Sequence, residues 1–254
     1  MKVCEIRNVK IGEGIPKICI PIVDENTEEI IETVRKIKLI GADLVEWRAD
    51  FFKDIEDFDK LRQVLEILRD ILFDIPIIFT VRTSVDGGKI DIDTNDYVKI
   101  NSFVLSLNLV DIIDIELSRG SQSVKKLIEI AKNNNVKTIV SNHRNDTPIK
   151  DEIVEILIKM QDFNPDIIKI ALTPHSNKDV LTLLSAMDDM TDIYAKIPVI
   201  AISMTNMGVI SRICQEMFCS SITFASLEKS SAPGQIQVSE MKTVLSIMHK
   251  AIGK

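Results

Sequence analysis

The sequence predicts an eight-fold β/α barrel on three observations. Short apolar, β-branched runs alternate eight times with longer segments of helical periodicity. The runs are apolar almost throughout, as expected of parallel strands covered on both faces by helices. Eight such units fit into 254 residues with no composition break or flexible linker, so residues 1–254 are expected to form a single domain. The expected fold class is therefore α/β, a (β/α)8 or TIM barrel. An open doubly wound sheet is disfavoured because Asp24-Glu25-Asn26, and no Gly-rich nucleotide loop, follows the first run.

The elements follow in order. Residues 3–11 are apolar enough for a short N-terminal β-hairpin closing the barrel bottom. The barrel strands are expected at 17–23, 44–50, 76–82, 110–117, 137–143, 167–172, 198–204 and 221–225. Between them the amphipathic helices are expected at 27–40, 55–72, 94–107, 121–134, 149–160, 177–189 and 207–217, with a last one at 238–249.

Composition narrows the function. The formal net charge of −7 argues against a general nucleic-acid binder, which needs a basic footprint. It leaves room for an anionic small molecule, because a few local arginines can dominate one pocket. Cys4, Cys19, Cys214 and Cys219 lack the paired spacing of a zinc site and the density of a secreted disulfide scaffold. Residues 1–10 have no apolar core of a signal peptide, and no apolar run is long enough for a membrane span. A cytoplasmic protein without membrane partners is expected.

In such a barrel, chemistry sits at the C-terminal mouth, and alternate strand residues share a face. In the second strand Glu46, Arg48 and Asp50 share one parity against Val45, Trp47 and Ala49. An internal ion-pair ladder would explain them, but three costly charges beside the mouth favour a polar pocket. Arg82 shares parity with Thr80 at the end of the third strand, before Gly87-Gly88. Asp114 and Glu116 follow the same rule in the fourth, either in the pocket or neutralising Arg48 and Arg82. His143, one of three histidines, ends the fifth strand, where its ordinary pKa suits proton transfer. His175 and His249 fall in a turn and in the last helix, where exposed or capping roles are the default.

Lys169 stands between Ile168 and Ile170 in the sixth strand, and two readings are open. It snorkels toward a carboxylate such as Glu116 or Glu46, or it is a desolvated, nucleophilic amine. Ala171 leaves space beside it. Arg212 is expected in the first turns of the 207–217 helix, where a substrate carboxylate can meet its guanidinium and backbone N–H groups. The small, polar segment 225–236 fits a lid or substrate-contacting loop.

Together these motifs resemble the type I 3-dehydroquinate dehydratases of the shikimate pathway. The resemblance rests on Glu46-Trp47-Arg48-Ala49-Asp50, Phe79-Thr80-Val81-Arg82-Thr83 with Gly87-Gly88, and Ser141-Asn142-His143. It continues through Lys169-Ile170-Ala171, Gly208-Val209-Ile210-Ser211-Arg212 and Ser231-Ala232-Pro233-Gly234-Gln235-Ile236. These run in family order over almost the whole chain.

The resemblance implies a hydro-lyase acting on the small molecule 3-dehydroquinate, with no metal or cofactor, and a homodimer. Lys169 would form a protonated imine with the C3 carbonyl. His143 would remove the C2 proton and then protonate the departing C1 hydroxyl in a syn elimination. Asp86 would orient His143, Arg212 would bind the carboxylate, and Glu46, Arg48, Arg82, Ser231 and Gln235 would hold hydroxyls and close the site. Two departures stand out. Asp86 replaces the family's frequent Glu, one methylene longer. Arg144-Asn145-Asp146-Thr147-Pro148 replaces a segment with a common Asp-Phe pair and is one residue shorter.

Two other functions compete. A Schiff-base aldolase shares lysine and barrel, but usually needs Gly-rich phosphate loops, whereas 231–235 has a single glycine. A barrel that only binds an anion or partner would lock Lys169 in an ion pair.

Overall fold

The computed structural model describes residues 2–229 and 231–253; Ser230, within the expected lid segment, lies outside the described residues. The chain opens with β1 (Cys4–Ile6) and β2 (Val9–Ile11), an antiparallel hairpin in which Cys4 faces Ile11. The repeats that follow are β3 (Lys17–Ile22), α1 (Thr27–Ile40), β4 (Leu44–Arg48), α2 (Phe58–Leu72), β5 (Ile77–Thr80) and α3 (Thr94–Leu107). They continue with β6 (Ile112–Glu116), α4 (Ser121–Asn133), β7 (Lys137–Arg144), α5 (Lys150–Gln161), β8 (Ile167–Leu172) and α6 (Asn177–Asp189). The last are β9 (Val199–Ser203), α7 (Ile210–Ile213), β10 (Ile222–Phe224) and α8 (Val238–Ile252).

The eight parallel strands run in the order β10-β3-β4-β5-β6-β7-β8-β9. The seam between β9 and β10 is closed by a single bridge between Val199 and Ser220, with Ser221 N–H donating to the Val199 carbonyl at 2.8 Å. Ser220 Oγ accepts the Ala201 N–H at 3.1 Å, a side chain standing in for a missing ladder bond. The result is the near-closed α/β barrel that the sequence predicts.

Strand parity sorts the layers. Outward residues such as Val45, Trp47, Ile77, Phe79, Ile168 and Ile170 pack against Leu61, Leu65, Leu127 and Leu157 of the helices. Each such fully buried side chain contributes about 1.5–3 kcal/mol. Inward residues change character with height. The lower layer is Cys19, Leu44, Ile78, Ile112, Ile139, Ile167, Ile200 and Ile222, and Cys4, Ile6 and Ile11 of the hairpin pack onto it. The hairpin therefore plugs the bottom with apolar side chains. One inward step higher stand Glu46, Thr80, Asp114, Ser141 and Lys169, all buried. The apolar floor shuts water out from below and leaves the polar layer open only toward the mouth.

Three helices differ from expectation by three residues or more, and α8 runs on to Ile252 instead of ending at His249. α2 starts at Phe58 because Asp57 caps it, its carboxylate accepting the Asp59 and Lys60 N–H groups. The helix expected at 207–217 shrinks to α7. Thr205 has φ +62°, and the 3-10 turn Asn206–Gly208 follows it. A Cβ on Gly208 would lie 2.1 Å from the Ser203 carbonyl oxygen, so the close crossing requires glycine there. Among the described residues no helix is long and apolar enough to cross a membrane, and all four cysteines are free.

Candidate active site

A cavity of about 310 Å³ opens at the C-terminal ends of the strands. Glu46, Arg48, Arg82, Asp86, His143, Lys169, Arg212, Ser231 and Gln235 all line it. The sequence placed these residues on separate strands and loops; the barrel brings them all to one mouth. A larger hollow of about 780 Å³ beside Phe51 and Lys53 is a surface groove without the lysine or the histidine.

Lys169 is 5% exposed at the base of the cavity. Its Nζ lies 3.5 Å from Glu46 Oε1, 3.5 Å from Asp114 Oδ2 and 4.4 Å from the centre of the Phe224 ring. Neither carboxylate belongs to the lysine alone. Glu46 Oε1 also accepts Thr80 Oγ1–H at 2.9 Å. Asp114 is paired with Arg82 at 2.9 Å and accepts Ser141 Oγ–H at 2.5 Å. Burial pushes the Asp114 carboxyl up, but Arg82 and then Lys169 outweigh it and hold it down at about 2. Snorkelling to Glu116 does not occur. Glu116 instead accepts from Arg82 Nη1 at 3.0 Å, Thr83 N at 2.9 Å and Thr83 Oγ1 at 2.6 Å. Burial opposes the Arg82 charge, yet Asp114 and Glu116 hold its guanidinium above the ordinary range. Arg48 is not neutralised by Asp114 or Glu116; its partner is Asp50.

The register of β7 against β8 sets Ser141 opposite Lys169 and His143 opposite Ala171, so the imidazole stands one inward step above the amine. Small Ala171 keeps that space open, as its parity suggested. Burial, with Arg82 and Lys169 adding to it, drives the His143 pKa well below that of an ordinary histidine. The ring is therefore neutral near pH 7, the state a general base needs. Its nearest carboxylate is Asp86, on the 3-10 turn Ser84–Asp86 ahead of Gly87 at φ +80°. Asp86 Oδ2 is 3.7 Å from His143 Nδ1, beyond a hydrogen bond, and accepts the His143 backbone N–H at 3.3 Å.

Arg212 is 1% exposed, and no carboxylate pairs with it among the described residues. Its Nη2 donates to the Pro233 carbonyl at 3.4 Å, while Nε meets no acceptor among the described residues. Desolvation pulls its pKa down to about 10. A buried cation without a counter-ion is a site awaiting an anion. α7 is too short to add the backbone N–H groups of a longer helix beside the guanidinium. Above it, Ser231 N–H donates to Gln235 Oε1 at 2.9 Å and Gln235 Nε2 donates to Ser231 Oγ at 2.8 Å. A Cβ on Gly234, at φ +80°, would lie 2.2 Å from the Thr205 carbonyl oxygen, so the loop sits directly on the β9–α7 turn.

His175 and His249 lie outside the cavity. The first contacts the Asn145 carbonyl at 3.0 Å and the second Glu216 at 2.8 Å. Phe224 under the amine escaped sequence reading, although its parity with Ile222 points it inward. No group of three or more His, Cys, Asp or Glu is placed to hold a metal among the described residues.

Residues 18–252 match the model of the type I 3-dehydroquinase family. The chain is 43% identical to the 3-dehydroquinate dehydratase of Clostridioides difficile over 98% of each chain. It is 44% identical to that of Clostridium novyi, over 99% of this chain and 100% of the relative. The crystal structure of the type I enzyme from Clostridium difficile with covalently modified comenic acid superposes with a TM-score of 0.96, at 43% identity, over 98% of this chain and 99% of that one. With fold, site and sequence agreeing over nearly its full length, the chain belongs to the type I 3-dehydroquinase family.

Proposed function

We propose that the cavity dehydrates 3-dehydroquinate to 3-dehydroshikimate through an imine on Lys169, with His143 as general acid and base. The Lys169 amino group passes a proton to His143 and attacks the C3 carbonyl carbon, and His143 returns that proton to the carbinolamine hydroxyl, which departs as water and leaves a protonated imine. That cation draws electrons from C2 and acidifies its proton. His143 takes the C2 proton, the electron pair forms an enamine, and the enamine expels the C1 hydroxyl as His143 returns a proton to it. Water then hydrolyses the imine, releasing the product and regenerating the amine.

The observation that carries this reading is the pairing of a buried lysine with a neutral histidine and an Arg212 that has no carboxylate partner among the described residues, all in one cavity. Arg212 suits the C1 carboxylate. Glu46, Arg48, Arg82, Ser231 and Gln235 suit the ring hydroxyls. Asp86 steadies the His143 segment. The shared, long contacts of Lys169 with Glu46 and Asp114 disfavour a locked structural pair. The covalently modified ligand in the Clostridium difficile relative supports covalent chemistry at such a site.

Borohydride added with 3-dehydroquinate should fix one ligand-sized mass on Lys169. An adduct elsewhere, or one persisting in Lys169→Ala, overturns the imine. The homodimer is checked by light scattering of the full chain.

A further inference from the structure

We propose that Asp50 is a positioning residue that aims Arg48 at the substrate and ties the second β/α loop to the loop carrying Asp86. This rests on the reading of Arg48 as a substrate-hydroxyl donor.

Asp50 lies in the 3-10 turn Ala49–Phe51, directly after β4, and its side chain has no exposed surface. A carboxylate so placed has to satisfy both oxygens from the protein. Oδ1 accepts Arg48 Nε and Oδ2 accepts Arg48 Nη2, both at 2.8 Å. This is the planar, two-bond fork that fixes a guanidinium in orientation as well as position. It engages Nε and Nη2, and Nη1 forms no bond among the described residues, while Arg48 lines the cavity. Phe51, from the same turn, lies 5.1 Å below the guanidinium and closes its face. Edge and face are thus both set by residues within three positions of Arg48, leaving one nitrogen for the ligand.

Asp50 has a second link. Its Oδ2 also accepts the Lys89 backbone N–H at 3.2 Å, immediately after Gly87-Gly88. Lys89 Nζ lies 5.6 Å from the same Phe51 ring. A Cβ on Gly88 would come within 1.8 Å of the Arg82 carbonyl oxygen, so this loop crosses the end of β5 in close contact. One buried carboxylate therefore joins the Arg48 donor to the loop that presents Asp86.

The test is a double-mutant cycle in the full chain, with steady-state kinetics on 3-dehydroquinate and thermal unfolding of each variant. Asp50→Asn keeps the shape but loses the charged fork, and Arg48→Lys removes the fork from the other side. Each should raise KM about tenfold with a smaller change in kcat, the scale of one misaimed charge-assisted bond. The double variant should be no worse than Arg48→Lys alone, because both lesions break the same unit. If Asp50→Asn does not fold, Asp50→Ser takes its place in the cycle. A KM within twofold of the parent for the Asp50 variant, while Arg48→Lys is impaired, overturns the positioning role and leaves Arg48 standing. Effects that multiply in the double variant overturn it as well. An unaltered KM in Arg48→Lys removes the reading of Arg48 as donor, and the proposal with it.

Discussion

The nearer carboxylate oxygen of Asp86 lies 3.7 Å from His143 Nδ1 but 3.3 Å from the His143 backbone N–H. The carboxylate steadies the strand rather than the ring, and Nδ1 meets no hydrogen-bond partner among the described residues. A ring held by its backbone alone keeps rotation that a bonded Nδ1–H would remove, and the pull of Asp114 toward the imidazolium is outweighed by burial, Arg82 and Lys169.

Asp86→Glu adds the one methylene needed to reach Nδ1. A carboxylate bonded to the ring favours its protonated form, so the acid limb of the kcat profile should move to higher pH. Steady-state kcat at the plateau should rise by roughly two- to tenfold as the ring is oriented. A limb that stays in place or moves to lower pH shows that the glutamate does not bond Nδ1.

Stability should fall on mild acidification because of His143. Its folded pKa lies below the ordinary 6.5, so under pH 6.5 the unfolded chain takes up a proton that the folded one refuses. Stability is then lost as pH falls from 6.5 toward the folded value, at a limiting slope of about 1.4 kcal/mol per pH unit. Asp114, held at about 2 against an ordinary 3.8, adds its loss only below pH 3.8. Glu116, raised by burial against the pull of Arg82, acts in the opposite sense, since protonation favours its folded form. Urea midpoints at pH 7 and pH 5 should therefore differ less in His143→Asn than in the parent. Equal differences in the two proteins mean that the ring is not held neutral.

Much of this site was legible because parity and strand position are properties of sequence. Glu46, Arg48, Arg82, His143 and Lys169 each sit at an inward position near a strand end, and closure of the barrel makes those ends converge. Partner choice was legible only in part. Asp114 and Glu116 were open as partners of Arg82 and both pair with it, because register sets Thr80 beside Asp114, whereas Arg48 takes Asp50, which the turn after β4 folds back. The length of α7 was hidden for a related reason. Its apolar periodicity continues, but the Thr205 conformation and the Gly208 crossing are long-range constraints. Asp86 was more legible: the sequence already showed the missing methylene, and the structure turns it into a 3.7 Å gap to His143 Nδ1.

Arg212 sets function against stability. Its guanidinium is buried with no carboxylate beside it among the described residues, and desolvation alone pulls its pKa to about 10. Arg212→Met keeps the apolar stem and removes the uncompensated charge. Its thermal midpoint should equal the parent's or exceed it by ~2–5 °C. The Thr223 hydroxyl bonds the Arg212 main-chain carbonyl at 3.0 Å, and that link survives the substitution. kcat/KM should nevertheless fall about 10²–10³-fold, as when one side of a desolvated charge pair is lost. A carboxylate-bearing substrate analogue should raise the parent's midpoint and leave the variant's unchanged, because only the parent can pair with the anion. A midpoint more than ~5 °C below the parent's would instead make Arg212 a structural cation, supported by Pro233 and the loop above it.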